Sequence, residues 1–200
     1  MSPPLLIVWF SGGLRAKDEE ETKAAVENLG LDLDLNLKVV SERWDVALRR
    51  LWDYEGDIIV MEHDVVPTVD MAREMLACPS IWCTQLYRLY HASTNLHFEV
   101  YGNRYLNDRG EFYFKLADKP YDEYSDAASL CFTKFTHEFR KKIDPKFFTD
   151  PTLDLVNLDH KISLKAVELG IKCHVHTPEM KHNHTTLKNE WHTVKKLVFE

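Results

Sequence analysis

Three groups of residues in this sequence have the types and spacing to do chemistry. The first is Glu62-His63-Asp64, which follows the apolar run Asp57-Ile-Ile-Val-Met61. Side chains alternate along an extended chain, so Glu62 and Asp64 leave the strand on the same side. Two carboxylates so placed suit a hard divalent cation such as Mg²⁺ or Mn²⁺, which takes one or two protein carboxylates together with phosphate oxygens. A pair of solvated acids is the plainer alternative. The second group is Asp159, at the start of a segment with helical spacing, where a carboxylate is favoured by the helix dipole and capping alone would account for it. The third is His182 and His184, which come after Pro178; His174 and His176 before them share one face of a strand, where partial exposure is reason enough for their presence.

The elements that must carry these groups can be read from periodicity. Leu5 to Phe10 is a continuous apolar run stopped by Ser11-Gly12-Gly13, the pattern of a strand buried on both faces with a flexible exit. Lys17 to Asn28 reads as a helix closed by Gly30, and Leu35 to Val40 as a second strand. Ser41 is placed to cap a helix with Trp44, Ala47, Leu48 and Leu51 on its buried face, ending by Gly56. Asp57 to Met61 follows as a strand, Thr68 caps a short helix ending at Cys78-Pro79, and Ile81 to Leu86 returns to strand character. This alternation predicts an α/β fold with a mostly parallel sheet and ligands at the carboxyl ends of its strands.

The pattern changes between Tyr87 and Tyr124, where ten aromatics fall and an even spread would put about four. Phe98 to Tyr101 and Glu111 to Leu116, around the Asn107-Asp-Arg-Gly110 turn signal, predict a small antiparallel insertion. Its rings either pack that sheet or offer a platform to an acceptor. Beyond it, Thr133 is placed to cap a helix with Phe132, Phe135, Phe139 and Ile143 on one face and Lys134, Arg140, Lys141 and Lys142 elsewhere, the one basic cluster. A last helix near Asp159 to Leu169 buries Leu158, Ile162, Ala166 and Leu169, Gly170 ends it, and Ile171 to His176 forms a final strand.

Composition bounds what such a chain can do. At 200 residues it has the length of one domain, organised as 1–86, an insertion at 87–125, and 126–200. No apolar run approaches the roughly 20 residues that span a bilayer, and Leu5 to Phe10 is too short for a signal peptide, so a cytoplasmic location is expected. The formal charge of −7 argues against a broad polyanion-binding face. Four cysteines without CxxC spacing indicate neither a disulfide framework nor a zinc knuckle, and packed thiols are expected.

Taken in order, the motifs resemble a family. Ser41-Glu-Arg43-Trp-Asp-Val-Ala47 through Gly56-Asp57-Ile-Ile-Val-Met-Glu62-His-Asp64-Val-Val-Pro67 is similar to the nucleotide-sugar half of GT-A fold glycosyltransferases of the family-two type, with an Arg-bearing helix, a Gly-Asp turn and a strand leading into a DxD-like motif. Asp159-His-Lys-Ile-Ser-Leu164 through Gly170, Pro178 and His182/His184 resembles the later half of that pattern, and the EHD motif with Trp82-Cys83 is most similar to the small phage-encoded members. Glu62 stands where the family usually has the first Asp, Leu158 where it often has Glu, and Trp44-Asp45 where an Asn usually follows the Arg. The resemblance leaves out residues 87 to 124.

It implies a GT-A-like, Rossmann-like sheet flanked by helices, and transfer of a sugar from a nucleoside diphosphate sugar, UDP-sugar first, to an acceptor hydroxyl with inversion. Asp64 and Glu62, with His182 or His184, would hold Mn²⁺ or Mg²⁺; Ser11, Gly12, Gly13, Arg43 and Glu62 would contact the nucleotide; Asp159 would be the general base. The acceptor would be a glycan, a small molecule or, for a phage-encoded enzyme in the host cytoplasm, a hydroxymethylated pyrimidine in DNA, with the basic cluster touching phosphates. Two other classes remain open from the residues themselves. One is a metal-dependent phosphodiesterase or nuclease built on the same acids and histidines, and the other a noncatalytic nucleotide-sugar-binding module.

Overall fold

The apolar runs of the sequence become strands whose two faces are both covered. The structure, a computed structural model, describes residues 2–9, 16–91, 96–99, 104–106, 112–114, 123–149 and 158–183. In chain order these form β1 (Leu5–Trp9), α1 (Ala16–Asp32), β2 (Asn36–Val40), α2 (Trp44–Leu51), β3 (Ile58–Met61), β4 (Val65–Val66), α3 (Val69–Ala77) and β5 (Trp82–His91). There follow β6 (Leu96–Glu99), β7 (Arg104–Leu106), β8 (Phe112–Phe114), β9 (Tyr124–Ser125), β10 (Phe132–Phe135), α4 (His137–Lys141), α5 (Leu158–Glu168) and β11 (Cys173–His182).

The main sheet runs in the order β2-β1-β3-β10-β5-β11-β4. β1 is parallel to β2 and β3, and β5 is parallel to β11, while β10 is antiparallel to both β3 and β5 and so joins the two parallel groups. The fold is therefore α/β with a mixed sheet. Alternate residues of β1 divide between two cores, Leu5 and Ile7 facing one way, Leu6 and Val8 the other. The first core takes Trp44, Ala47 and Leu48 from α2, Phe139 from α4, and Leu158, Ile162 and Ala166 from α5. The second takes Val26 and Leu29 from α1 and Met71, Ala72 and Met75 from α3. Layering on both faces is why β1 and β3 read as unbroken apolar runs. Among the described residues no helix is long and apolar enough to cross a membrane.

Several expectations are corrected. Residues Phe132–Phe135 are a strand, and the helix begins only after Thr136, whose hydroxyl accepts from Phe139 N at 3.2 Å. Thr133 does not cap; its hydroxyl bonds the Ser129 carbonyl at 2.6 Å and Thr84 Oγ1 at 2.7 Å. The basic cluster dissolves with that helix: Lys134 is buried and donates to the Cys78 carbonyl at 2.7 Å, Arg140 is buried too, and only Lys141 and Lys142 stay at the surface. α1 continues through Gly30 to Asp32, and α2 is preceded by Arg43, without a side-chain cap, rather than by Ser41. Leu169 is exposed beyond the end of α5, and the last strand extends to His182. In the insertion β7 pairs with β8 antiparallel, as expected of such a segment, while β6 pairs antiparallel with the end of β5, Arg88–His91, rather than with β8. Residues 92–95, 100–103, 107–111 and 115–122, Tyr101 and Asn107–Gly110 included, lie outside the described residues. Gly170 ends the turn after α5 with φ of 67°, a conformation that favours glycine.

One buried cation fixes how α2 passes into β3. Arg140 donates to the carbonyls of Trp52, Tyr54 (2.8 Å) and Gly56, and the Trp52 indole N–H donates back to the Arg140 carbonyl at 3.1 Å. Gly56 has no room for a side chain, because a Cβ there would lie 2.7 Å from the Ser2 carbonyl oxygen. Burial lowers the Arg140 pKa to about 10, so the guanidinium remains charged at neutral pH. Removing it strands the Trp52 and Gly56 carbonyls in the core, each orphaned acceptor costing about 1–3 kcal/mol, while that of Tyr54 keeps the His137 ring nitrogen at 3.1 Å. Arg140→Ala is expected to lower unfolding free energy by about 3 kcal/mol or more, read from the urea midpoint. Arg140→Lys should recover only a minority of that loss, because an ammonium lacks the planar fork.

Candidate active site at the carboxyl edge of the sheet

β3 delivers its last buried residue, Met61, at the edge where the parallel strands end, and the chain then turns through Glu62, His63 and Asp64 into β4. Two backbone contacts hold this turn. The Glu62 N–H donates to the Cys131 carbonyl at 2.9 Å, just ahead of β10, and the Asp64 carbonyl accepts from Asn183 N at 2.7 Å, just beyond β11. The turn is thus tied to two segments from the second half of the chain. Asp64 and His63 are buried, whereas Glu62 keeps partial contact with solvent.

Aromatic side chains wall one side. Trp9, ending β1, meets His63 edge-on with ring centres 5.2 Å apart and lies 6.2 Å from Trp44, the first residue of α2. The Trp9 indole N–H donates to the Glu42 carbonyl at 3.1 Å, holding the start of α2 beside the end of β1. Arg43, at this same point, is exposed and forms a two-point ion pair with Asp45 at 2.9 and 3.2 Å. Its guanidinium therefore stands at the mouth of the site rather than inside it.

Asp159 comes to the same edge from the far half of the chain. It lies in the first turn of α5, and Ser163 one turn later both donates to the Asp159 carbonyl at 2.7 Å and accepts from Ala128 N at 3.3 Å. Residues 127–131 lead directly into the Cys131–Glu62 contact, so Ser163 fixes α5 against the segment that touches Glu62. The proximity has an electrostatic consequence. Burial, then the charge of Asp64, then that of Asp159 push the Glu62 carboxyl up to about 8, against the Cys131 thiol, which donates to Glu62 Oε2 at 2.9 Å, and the nearby Trp44 indole, which favour the ionised form. Cys131 in turn is kept a thiol by burial and by Glu62 and Asp64.

Of the residues singled out in the sequence, the structure brings Glu62, Asp64 and Asp159 together. His182 is placed on β11 opposite Val65, one residue from Asp64, by the backbone register. Ser11, Gly12, Gly13 and His184 lie outside the described residues. Trp9 and Cys131 were missed: the position of Trp9 at the end of a buried strand was a usable signal, whereas nothing in the sequence ties Cys131 to Glu62. Beyond Asp64 an apolar cleft opens between α1 and α3, lined by Ala24, Ala25, Val66, Pro67 and Val69, with Glu21 and Lys181 paired at its rim. No known protein-family model matches the sequence, and a search of curated proteins found no significant match.

Three carboxylates drawn to one sheet edge repel one another, and either a proton or a cation relieves that repulsion. Without a cation the folded chain holds a proton on Glu62 up to about pH 8, whereas an unfolded glutamate releases it near 4.5. Stability should therefore fall as pH rises between those values. His176, depressed to about 4 in the folded chain, acts in the opposite sense below 6.5, which leaves pH 6.5 to 8 as the clean window. In chelator-treated protein, Glu62→Gln is expected to flatten the decline in melting temperature across that window; an unchanged slope would assign the decline to another group.

Proposed function

We propose that this chain is a metal-dependent glycosyltransferase of the GT-A type, moving a sugar from a nucleoside diphosphate sugar to an acceptor hydroxyl with inversion. The observation that carries the reading is the convergence of Glu62, Asp64 and Asp159 at the carboxyl edge of the sheet, where burial and then the charges of Asp64 and Asp159 raise Glu62. The two carboxylates are hard oxygen donors, which suit Mn²⁺ or Mg²⁺, and a pair of acids that cannot comfortably both ionise alone is a suitable host for a cation. Asp64 and Glu62 would hold it, with His182 or His184 as a further ligand. When bound, such an ion supplies Lewis-acid stabilisation of the charge on the departing diphosphate.

The remaining roles belong to the chain itself. Buried Trp44 and His63 back the half-buried Trp9 on one side of the carboxylates, and Trp9 would offer flat apolar surface to a nucleobase or sugar. Arg43 at the mouth, and Ser11, Gly12 and Gly13 following β1, would meet the nucleotide. Asp159 would take the proton of the acceptor hydroxyl as oxygen attacks the anomeric carbon opposite the diphosphate; its carboxylate accepts from the His160 N–H at 2.7 Å, and such placement is what makes an ordinary carboxylate effective. Of the four basic residues weighed as DNA phosphate contacts, burial removes Lys134 and Arg140 and leaves Lys141 and Lys142, the latter paired with Glu138 at 3.6 Å. That favours a glycan or small-molecule acceptor over hydroxymethylated DNA.

The test is a donor panel, UDP-glucose first, with diphosphate release measured against glycan, small-molecule and hydroxymethylated-DNA acceptors. Turnover is expected to need Mn²⁺ or Mg²⁺ and to stop with EDTA. Asp64→Asn should abolish metal-dependent donor binding, whereas Asp159→Asn should keep donor binding and lose roughly 10²–10⁴-fold in turnover. Cleavage of DNA without diphosphate release would replace this reading with the phosphodiesterase, and donor binding without turnover on any acceptor would leave the binding module.

A further inference from the structure

The carboxylate edge makes no use of a second group of reactive side chains near the amino end of β5. Cys78 follows α3, Cys83 is the second residue of β5, and His176 lies on β11, whose register sets His174 beside Cys83 and His176 beside Gln85. Alternation puts Cys83, His174 and His176 on one face of the sheet, the face that α3 covers. One ligand atom from each of Cys78, Cys83 and His176 can be chosen so that all lie within 4.8 Å of one another. Around a tetrahedral zinc, with Zn–S about 2.3 Å and Zn–N about 2.0 Å, ligand atoms stand roughly 3.5–3.8 Å apart, so small side-chain rotations would close the set.

Two further features point to a ligand. The Nε2 atom of His176 is buried and meets no hydrogen-bond partner among the described residues, an arrangement that wastes an imidazole lone pair or N–H. Its neighbour His174 stands ready as a fourth donor: the two rings meet edge to face at 4.6 Å, and His174 Nδ1 is 3.3 Å from Cys78 Sγ. Burial, then His174 and Lys134, hold His176 at about 4, which keeps it in the neutral form that binds metals.

We propose that Cys78, Cys83 and His176 form a site for a thiophilic d¹⁰ cation, Zn²⁺ or Cu⁺, independent of the carboxylate edge. Thiolate and imidazole select such ions over Mg²⁺ or Mn²⁺. Binding displaces the two thiol protons to solvent and forms two metal–sulfur bonds and one metal–nitrogen bond, with no change of oxidation state. The Lys134 ammonium, held by the Cys78 carbonyl at 2.7 Å, joins the charge count. Two thiolates, one ammonium and one monovalent cation sum to zero, the condition most easily buried, whereas a divalent ion leaves one positive charge for a solvent-derived anion to offset. The site would tie the end of α3 to β5 and β11.

The full chain, purified under reducing conditions and stripped of metal, is titrated with Co²⁺ as the spectroscopic stand-in for Zn²⁺ and, separately, with Cu⁺ against a coloured chelator. The thiolate-to-metal charge-transfer band of Co²⁺ is expected to saturate at one equivalent and to be bleached by Zn²⁺, since Co²⁺ on carboxylates gives no such band. Asp64→Asn should leave the band intact; Cys78→Ser and Cys83→Ser should abolish it, and His176→Ala should weaken affinity at least tenfold. Tighter binding of Cu⁺ than of Zn²⁺ would identify the monovalent ion as the resident. Because serine variants can misfold, alkylation of the wild-type chain is followed by mass spectrometry with and without metal, and protection of Cys78 and Cys83 but not Cys131 is expected. Absence of both the band and Cu⁺ uptake, alkylation unaffected by metal, or a Cys78–Cys83 disulfide formed in its place would overturn the proposal.

Discussion

The guanidinium of Arg140 sits where α2 hands the chain to β3, donating to the carbonyls of Trp52, Tyr54 and Gly56. A loop that turns inward this tightly cannot satisfy its own carbonyls, and in a dry interior each would be a liability of 1 kcal/mol or more, by about the usual cost of an orphaned acceptor. One planar cation answers three of them. It does so from α4, directly after β10, so the residue that sets the start of β3 is delivered by the strand that lies beside β3. With β3 so anchored, its far end is fixed within the sheet, and Glu62 and Asp64 emerge where α5 can bring Asp159.

What was legible in the sequence follows from how local the signals are. β1 and β3 announce themselves because burial on both faces demands apolar residues at every position, and no other element of that length does. The Glu62/Asp64 pair follows from strand alternation alone. β10 was hidden because Phe132, Phe135, Phe139 and Ile143 recur at helical spacing by coincidence: Phe132 packs into the core on one face of the sheet, and Phe135, Phe139 and Ile143 into the core on the other. Which of these wins is settled by the open hydrogen-bonding edges of β3 and β5, and those are invisible in a window of ten residues. Arg140 and Lys134 misled for a related reason. Residue type says surface, and only the crowding of backbone carbonyls shows that an interior cation has partners enough.

The candidate site divides in the same way. Its acids were found because chemistry restricts which residues can do the work, but its surroundings were not. Cys131 reaches Glu62 across 69 residues of sequence, and the Trp9 indole reaches the start of α2 across 33. Neither distance leaves a trace in composition or periodicity. The same holds for the Cys78, Cys83 and His176 group, where the absence of CxxC spacing argued against a zinc knuckle and said nothing about thiols assembled by a sheet.

The antiparallel placement of β10 between β3 and β5 also governs how the molecule can be assembled. β3 and β5 both lie in the first half of the chain, but they do not pair; the strand that joins them begins at Phe132. Until then the nascent chain carries two naked edges, Ile58–Met61 and the start of β5, made of the most apolar backbone it possesses. Such edges are templates for pairing with another chain. The fold thus leaves its central seam open until β10 has been made, and the other edge of β5 open until β11 follows, so the stretch of synthesis after residue 61 exposes the nascent chain to self-association.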